Sequence, residues 1–253
     1  MTDTHSHIYS NEFESDLNLV IQRAKDEGVE KIFMPAISKD EYNMMMWVQK
    51  KYPEFCFPMM GLHPCYVKED FKEQLDFVQQ KLSEQKFYGI GECGLDFYWD
   101  TSFKTQQQEA FEQQIIWAKE KKLPLIIHSR NSTKDCLDLV EKYASDDLLG
   151  IFHCFSGTLY EAERAISLNF YLGIGGVITY KNSGLAEIVE RISLNKIVLE
   201  TDAPYLSPVP FRGKRNESSY LKYIAEKISH IKSIPVEDVS KITTLNSKKI
   251  FGV

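Results

Sequence analysis

The segment Leu123-Pro124-Leu125-Ile126-Ile127-His128 is an apolar run that ends on a histidine, and this pattern recurs along the chain. Short apolar runs between turn signals are typical of strands that are buried on both faces, as in a parallel sheet. Seven such runs are predicted strands: Lys31–Ser38, Phe55–Leu62, Phe87–Glu92, Leu123–His128, Gly150–His153, Phe170–Ile174 and Ile197–Asp202. An eighth, Thr2–His7, is short and polar, but Asp3, His5 and His7 alternate onto one face as a strand requires.

Helical patterns separate the predicted strands. One apolar stripe runs from Leu17 to Ala24 and stops at Gly28, and a closing helix is predicted from Val236 to Lys249. Eight alternating strands and helices predict an α/β fold, the (β/α)8 TIM barrel. Such a barrel takes about 250 residues, so residues 1–253 are predicted to form a single domain. The alternative, an open doubly wound sheet, would need a glycine-rich phosphate loop where His5-Ser6-His7 stands.

Histidines and carboxylates occupy the C-terminal ends of these strands, where barrel enzymes place their active sites. They are His5, His7, His63, Glu92, His128, His153 and Asp202. Each alone has an ordinary structural explanation, such as a hydrogen-bonded core histidine or a turn-initiating aspartate. If the set had no shared function, all of these separate explanations would have to hold at once, for residues at the same end of the same barrel. Because imidazole and carboxylate are the usual ligands of catalytic divalent metals, the set predicts a metallohydrolase.

The strand order predicts two metal ions per subunit. His5, His7 and Asp202 come from strands one and eight, which are neighbours in a closed barrel. Glu92, His128 and His153 come from strands four, five and six, and Glu92 can bridge the two groups. Two ions about 3.5–4 Å apart suit phosphodiester cleavage, with Asp202 taking the proton of the attacking water. Imidazole-rich ligation favours Zn²⁺ or Mn²⁺ over Mg²⁺, which prefers oxygen, so the metal stays open among the three.

Other residues near the predicted site are candidates for substrate binding. His63 is predicted to bind a substrate phosphate, protonate a leaving group or only orient a ligand. Arg130, Arg212 and Arg215 are predicted to bind phosphate, although the loop with Arg212 and Arg215 could be only a solvated surface loop. The aromatic segment Phe97-Tyr98-Trp99 could stack on bases or simply pack under a long loop.

Composition narrows the classes of function. The net charge of −6 and pI near 5.6 argue against a broad cationic surface for nucleic acid, so DNA would bind through a local patch. The five cysteines, an odd number, indicate free thiols in a reducing compartment, and Cys93 and Cys154 are predicted to face away from the ligands. With neither a signal peptide nor a membrane span expected, the prediction is a cytoplasmic protein without a membrane or obligate protein partner.

Six motifs, in order, resemble the TatD family of metal-dependent deoxyribonucleases. They are Asp3-Thr4-His5-Ser6-His7, Gly61-Leu62-His63-Pro64, Gly91-Glu92-Cys93-Gly94-Leu95-Asp96, His128-Ser129-Arg130, His153-Cys154-Phe155-Ser156-Gly157 and Glu200-Thr201-Asp202-Ala203-Pro204-Tyr205. The resemblance implies a TIM barrel of the amidohydrolase superfamily with the same two ligand groups and a bridging Glu92. It also implies DNA hydrolysis, often 3′→5′ or at damaged sites, commonly with Mg²⁺. The sequence departs from the family pattern at Asn131 and Ser218.

The resulting hypothesis is a deoxyribonuclease that acts on the 3′ end of single-stranded or damaged DNA, in repair or catabolism. An ester or amide hydrolase on the same scaffold, such as a D-aminoacyl-tRNA deacylase, is the alternative enzyme. A metal-loaded binding protein without catalysis is the alternative outside enzymes. The complete ligand set, with both Glu92 and Asp202, counts against that last reading.

Overall fold

Eight parallel strands surround a common axis in the computed structural model, which describes residues 1–253. The strands are β1 (Thr2–Asp3), β2 (Lys31–Pro35), β3 (Cys56–Met59), β4 (Ile90–Asp96), β5 (Leu125–Arg130), β6 (Gly150–Phe152), β7 (Phe170–Ile174) and β8 (Ile197–Leu199). Their buried, largely apolar sequences fit a sheet that is covered by helices on its outer face.

Nine α-helices connect or follow the strands. They are α1 (Leu17–Asp26), α2 (Tyr42–Lys51), α3 (Phe71–Glu84), α4 (Lys104–Lys121), α5 (Thr133–Lys142), α6 (Leu159–Ser167), α7 (Leu185–Arg191), α8 (Leu221–Lys232) and α9 (Val236–Phe251). The predicted stripe from Leu17 to Ala24 is the buried face of α1, and Gly28 after it has the positive φ of 75° that favours glycine. The predicted closing helix is confirmed as α9.

The barrel consists of two parallel sheets that meet at two seams. Strands β1 to β3 form one sheet and β4 to β8 form the other, each with its strands in chain order. Single parallel bridges join Ser6 to Ala203 and Met60 to Ile90. At the first seam the Asp202 amide also donates to the His5 carbonyl at 2.9 Å. The predicted (β/α)8 TIM barrel is therefore confirmed, and the doubly wound alternative is wrong.

The core has two parts. A continuous cluster of 57 buried apolar residues lies largely between the strands and the helices. A smaller cluster lines the barrel interior below the polar strand ends, where Phe251 of α9 stacks on Phe33 of β2 with ring centroids 3.6 Å apart. The last turn of α9 thus packs into the barrel. The larger cluster draws on elements from α1 to α9 and so supports the single domain over residues 1–253, which stays a prediction. None of the nine α-helices combines the length and the hydropathy that a membrane-spanning segment needs.

Several predicted strand boundaries are wrong near the polar ends, and β2, β3 and β8 each end three residues before the predicted Ser38, Leu62 and Asp202. The predicted strand Thr2–His7 pairs as a ladder only at Thr2–Asp3. Beyond Asp3 the chain is held by individual backbone hydrogen bonds, from Ser6 to Phe33 of β2 and from His7 to Ala203 after β8. Strand β4 continues past Glu92 to Asp96, so Glu92 lies inside the strand. The apolar-run rule stopped at the first charge, whereas pairing with β5 continues as far as Arg130.

Candidate active site

A cavity of about 680 Å³ opens at the C-terminal ends of the strands. Six of the seven predicted polar residues line it: His7, His63, Glu92, His128, His153 and Asp202. The seventh, His5, is fully buried, and its ring stacks on that of His153 with centroids 3.4 Å apart. Residues scattered from position 5 to position 202 therefore meet at one point, as the strand-end pattern predicted.

Glu92 stands at the centre of this cluster. Its Oε2 lies 3.0 Å from Nε2 of His5 and 3.4 Å from Nε2 of His7. Its Oε1 lies 3.0 Å from Nδ1 of His128 and 3.3 Å from Nε2 of His63. The two carboxylate oxygens therefore face two different groups of histidines, which is the geometry that a bridging ligand needs.

Asp202 completes the cluster from the end of β8. Its Oδ1 lies 3.5 Å from Nε2 of His7, 3.7 Å from Nε2 of His153 and 3.8 Å from Nε2 of His5. The residue has a positive φ of 56°, and its backbone is held to the His5 carbonyl at the β1–β8 seam. Its side chain is 15% exposed, against 4% for Glu92, so Asp202 is the more accessible carboxylate.

His153 contacts residues of both predicted ligand groups. Ligand atoms that lie within 4.8 Å of one another form three sets: His5 with His153 and Asp202, His5 with His7 and Glu92, and His63 with Glu92 and His128. The prediction placed His153 with His128, and its Nε2 lies 3.7 Å from Oε1 of Glu92, the oxygen that His128 also contacts. Its ring also stacks on that of His5 near β1, so the grouping stays a prediction. Strand order fixes neighbouring backbones, but it does not fix the side to which a ring at a strand end rotates.

His63 reaches the cavity from the loop after β3. Its Nδ1 accepts a hydrogen bond from the Cys65 amide at 3.1 Å. Burial lowers the pKa of the imidazole, which favours the neutral form. Because Nδ1 accepts, the proton of the neutral ring sits on Nε2, which points at Glu92. His63 is thus a hydrogen-bond donor inside the cavity, which supports its predicted role toward a substrate phosphate or a leaving group.

The chemistry of the donor set fits a divalent metal. Glu92 forms ion pairs only with imidazoles, and neither lysine nor arginine contacts it. Burial by itself raises the pKa of Glu92, but the imidazoles around it, those of His63 and His5 first, hold it well below its usual value. Burial lowers the pKa of His5, which favours the neutral ring that donates a lone pair to a metal. Burial opposes protonation of His7 and His153 as well, but Asp202 and Glu92 raise the pKa of His7 to about 9, and Glu200 and Asp202 raise that of His153 to about 10. A divalent cation would therefore displace a proton from each of these two rings, because an imidazole ligates a metal in its neutral form.

Glu200 supports His153 from behind, and our prediction missed it. Its Oε1 lies 3.0 Å from Nδ1 of His153 and accepts the Cys154 amide at 2.6 Å. A Cβ at Gly173 of β7 would lie only 2.2 Å from Glu200 Oε2, so glycine leaves the room for this carboxylate. A carboxylate on the far nitrogen of a ligating histidine fixes the ring and its tautomer. The available signal was spacing, since Glu200 precedes Asp202 by two residues.

Asp96 is a second supporting carboxylate that our prediction missed. Its Oδ2 lies 2.9 Å from Nε2 of His128, whose other nitrogen faces Glu92. Its Oδ1 accepts the amides of Tyr98 and Trp99 at 3.0 and 3.2 Å. Asp96 is thus bonded both to a metal-ligand candidate and to the loop after β4.

Asp3 holds the first strand in place from below. This buried carboxylate accepts hydrogen bonds from the Thr201 amide at 2.9 Å and from the hydroxyls of Thr201 and Ser218, each at 2.7 Å. Ser218, where the sequence departs from the family pattern, is itself fully buried. Ser218 therefore stabilises the contact between β1 and the segment that follows β8, and it does not line the cavity.

The three predicted phosphate-binding arginines have different positions. Arg130 lines the cavity, as predicted. The prediction for Arg215 is wrong, because its two guanidinium nitrogens bind the carboxylate of Asp16 at 2.8 and 2.7 Å, away from the cavity. Arg212 lies over the ring of Tyr180, 4.2 Å from its centroid, and is not among the residues that line the cavity. Its phosphate-binding role stays a prediction.

The cysteines bear out most of what the sequence indicated. All five are free. Cys93 is buried and points away from the ligands, with its Sγ 3.6 Å from the carbonyl of Ile126. Cys154 instead lines the cavity, so the expectation that it faces away is wrong. Its φ of 44° explains this, because a left-handed residue ends the alternation of side chains along a strand.

The sequence is similar to known proteins along its whole length. The profile of the family described as TatD related DNase matches residues 2–252. YabD of Bacillus subtilis, called an uncharacterized metal-dependent hydrolase, is 39% identical over 252 residues, which are 99% of this chain and 98% of that protein. The 3′-5′ ssDNA/RNA exonuclease TatD of Erwinia tasmaniensis is 28% identical over 259 residues, covering all of both chains.

Solved structures with a similar fold include another TatD homologue. The crystal structure of the TatD homologue YjjV from Escherichia coli superposes with a TM-score of 0.94 at 28% identity, covering 100% of this chain and 98% of that one. A phosphotriesterase homology protein from Escherichia coli, at 15% identity and a TM-score of 0.73, shares the fold. A family profile that spans almost every residue, together with a relative of 39% identity, shows that this chain belongs to the TatD-related DNase family.

Proposed function

We propose that this protein is a metal-dependent deoxyribonuclease that hydrolyses phosphodiester bonds from the 3′ end of single-stranded or damaged DNA. Membership of the TatD family makes it a metal-dependent hydrolase that acts on ester bonds. The observation that carries the finer proposal is Glu92, whose two oxygens face separate groups of histidines at the floor of an open cavity. A relative of full-length similarity named as a 3′-5′ ssDNA/RNA exonuclease adds support for a nuclease.

The residues that would hold the metals are His5, His7, Glu92, His128, His153 and Asp202, and we propose two ions per subunit. Bound Mg²⁺, Mn²⁺ or Zn²⁺ would polarise the phosphoryl oxygens and activate water. Glu92, Asp202 and His63 are the proposed catalytic residues. Asp202 accepts the proton of the attacking water, since it is the carboxylate more exposed to the cavity. His63, as a neutral donor, binds the phosphate through its Nε2–H, and protonation of the leaving oxygen by this ring would first need it to gain a second proton.

Substrate recognition is proposed to be local. Arg130 is the arginine that lines the cavity, and its planar guanidinium suits a phosphate group. The net charge of −6 repels a long duplex, so the engaged part of the DNA is a chain end that can enter the cavity. Five unpaired cysteines support a reducing compartment, and we propose the cytoplasm.

The test is a comparison of substrates with end-labelled material. Single-stranded DNA, duplex DNA, RNA and D-aminoacyl-tRNA are incubated with the purified protein and each of Mg²⁺, Mn²⁺ and Zn²⁺. We expect stepwise shortening of 5′-labelled single-stranded DNA, and we expect EDTA to stop it. Asp202→Ala should reduce the rate of shortening by at least about 100-fold, the effect of losing a general base. Release of the amino acid from tRNA without DNA cleavage would contradict the proposal in favour of a deacylase. No turnover of any substrate would favour a binding protein.

A further inference from the structure

Several large aromatic side chains stand exposed at the mouth of the cavity, and two of them, unlike Tyr66 and Tyr205, are adjacent in sequence. Tyr98 and Trp99, in the loop between β4 and α4, are 53% and 67% exposed. Trp99 also lines the cavity that holds Glu92 and Asp202. Exposed indole surface of this size costs hydration free energy unless something covers it, and its position beside the site points to the substrate.

A cation is bound to the same pair of rings. The guanidinium of Arg130 lies 4.0 Å from the centroid of Tyr98 and 5.1 Å from that of Trp99. Cation–π contacts at this distance hold both partners in place. Tyr98, Trp99 and Arg130 thus form a continuous surface of two aromatic rings and one planar cation, which we call the mouth platform.

The mouth platform is fixed relative to the catalytic cluster. The amides of Tyr98 and Trp99 donate to Oδ1 of Asp96, while Oδ2 of Asp96 contacts His128. The Asp96 amide in turn donates to the side-chain carbonyl of Gln107 at 2.9 Å. One carboxylate therefore sets the distance from the rings to a metal-ligand candidate, which a stacking surface for a substrate requires.

Simple packing accounts for only one of the three aromatic residues. Phe97 packs against the main core, and the amino group of Lys104 lies 4.2 Å from its ring centroid. Tyr98 and Trp99 are absent from that core and contact each other at 4.9 Å in an edge-to-face arrangement. Packing under the loop, which was the structural alternative for this segment, therefore explains Phe97. The rings of Tyr98 and Trp99 have no such packing, so the mouth platform is available to contact a substrate.

We propose that the mouth platform stacks the base of the nucleotide next to the scissile phosphate, with Trp99 as the stacking surface. The inference rests on the proposed nuclease function and names its substrate more closely: a single strand with an intact, unpaired base at that position. A paired base inside a duplex does not offer its face, so the platform selects single strands. Arg130, which the two rings hold in place, binds the backbone phosphate adjacent to the stacked base.

The experiment combines a protein change with a substrate change. Cleavage of a normal single-stranded oligonucleotide is compared with that of one carrying a tetrahydrofuran abasic site next to the scissile phosphate. Stacking of one base is worth about 1–3 kcal/mol, or about 5- to 150-fold. We expect a loss of that size in kcat/KM for the wild type on the abasic strand and for Trp99→Ala on the normal strand. Trp99→Ala on the abasic strand should lose little more.

Control variants separate stacking from damage to the fold. Trp99→Phe should recover most of the loss, and the change should lie in KM more than in kcat. Trp47→Ala removes a tryptophan that is 50% exposed, against 67% for Trp99, and that lies outside this cavity, so it should leave the kinetics unchanged. If Trp99→Ala lowered kcat/KM by the same factor on the abasic strand as on the normal strand, the two effects would be independent and the platform would be overturned.

Binding gives a second readout that does not depend on cleavage. A 2-aminopurine base at the same position loses fluorescence when it stacks on an aromatic ring. We expect quenching by the wild type and by Trp47→Ala, and a loss of quenching with Trp99→Ala. Quenching without cleavage would contradict the nuclease and leave the platform supported. Equal quenching by the wild type and Trp99→Ala, or none by either, would overturn the platform.

Discussion

Glu92→Ala is expected to lower kcat/KM on single-stranded DNA by about a thousand-fold or more, comparable to the removal of a key member of other catalytic units. The reason is its central position, with Oε2 beside His5 and His7 and Oε1 beside His63 and His128. Without the carboxylate, both groups of imidazoles lose their shared anionic partner. Steady-state cleavage of a labelled oligonucleotide in Mn²⁺ measures the effect.

A matched substitution shows whether the loss is specific. Glu163→Ala removes an exposed carboxylate from α6 and should retain activity within about twofold, as surface changes usually do. Circular dichroism should show that Glu92→Ala remains folded, since its partners are polar groups at the cavity floor. If Glu92→Ala kept more than a tenth of the wild-type activity, the central role of this carboxylate would be wrong.

Gly94→Ala is expected to destabilise the fold by about 2–6 kcal/mol, the sum of backbone strain and overpacking. A Cβ at this position of β4 would lie 2.1 Å from the carbonyl oxygen of His128 on β5, and its φ is +137°. The two strands would have to separate where Glu92 and His128 face each other. Urea unfolding followed by circular dichroism measures the change in free energy.

Gly28→Ala is the control for this prediction. Gly28 also has a positive φ, of 75°, but nothing lies within 4 Å of a Cβ built there. Its alanine variant should lose only the strain of a left-handed residue, about 1–2 kcal/mol. Equal losses in both variants would show that the close approach of β4 and β5 is not what glycine provides at position 94.

The fold and the convergence of the candidate ligands were predictable from sequence because both follow local rules. Apolar runs mark buried strands, and a polar residue at the end of such a run marks the rim of the barrel. His128 is typical: the run that leads to it is β5, and its ring lies at the cavity. The order of the strands then brought the end of β8 beside the end of β1, as the contacts of Asp202 confirm.

What was not predictable depends on side-chain rotation and on partners far away in sequence. The ring of His153 turns toward His5, a choice set by Glu200 behind it. Arg215 is drawn to Asp16, which is 199 positions away and belongs to no motif. Neither contact follows from spacing, because both depend on which surfaces the closed barrel brings together.

The central claim is that the cluster around Glu92 is a divalent-metal centre, and equilibrium dialysis against Mn²⁺ tests it most directly. The purified protein, first stripped with a chelator, is dialysed beside Glu92→Ala and Glu163→Ala, and bound metal is determined by mass spectrometry. We predict saturable binding of two ions per chain for the wild type and for Glu163→Ala, and weakened or lost binding for Glu92→Ala. Absence of saturable binding in the wild type, or identical binding by all three proteins, would contradict the account.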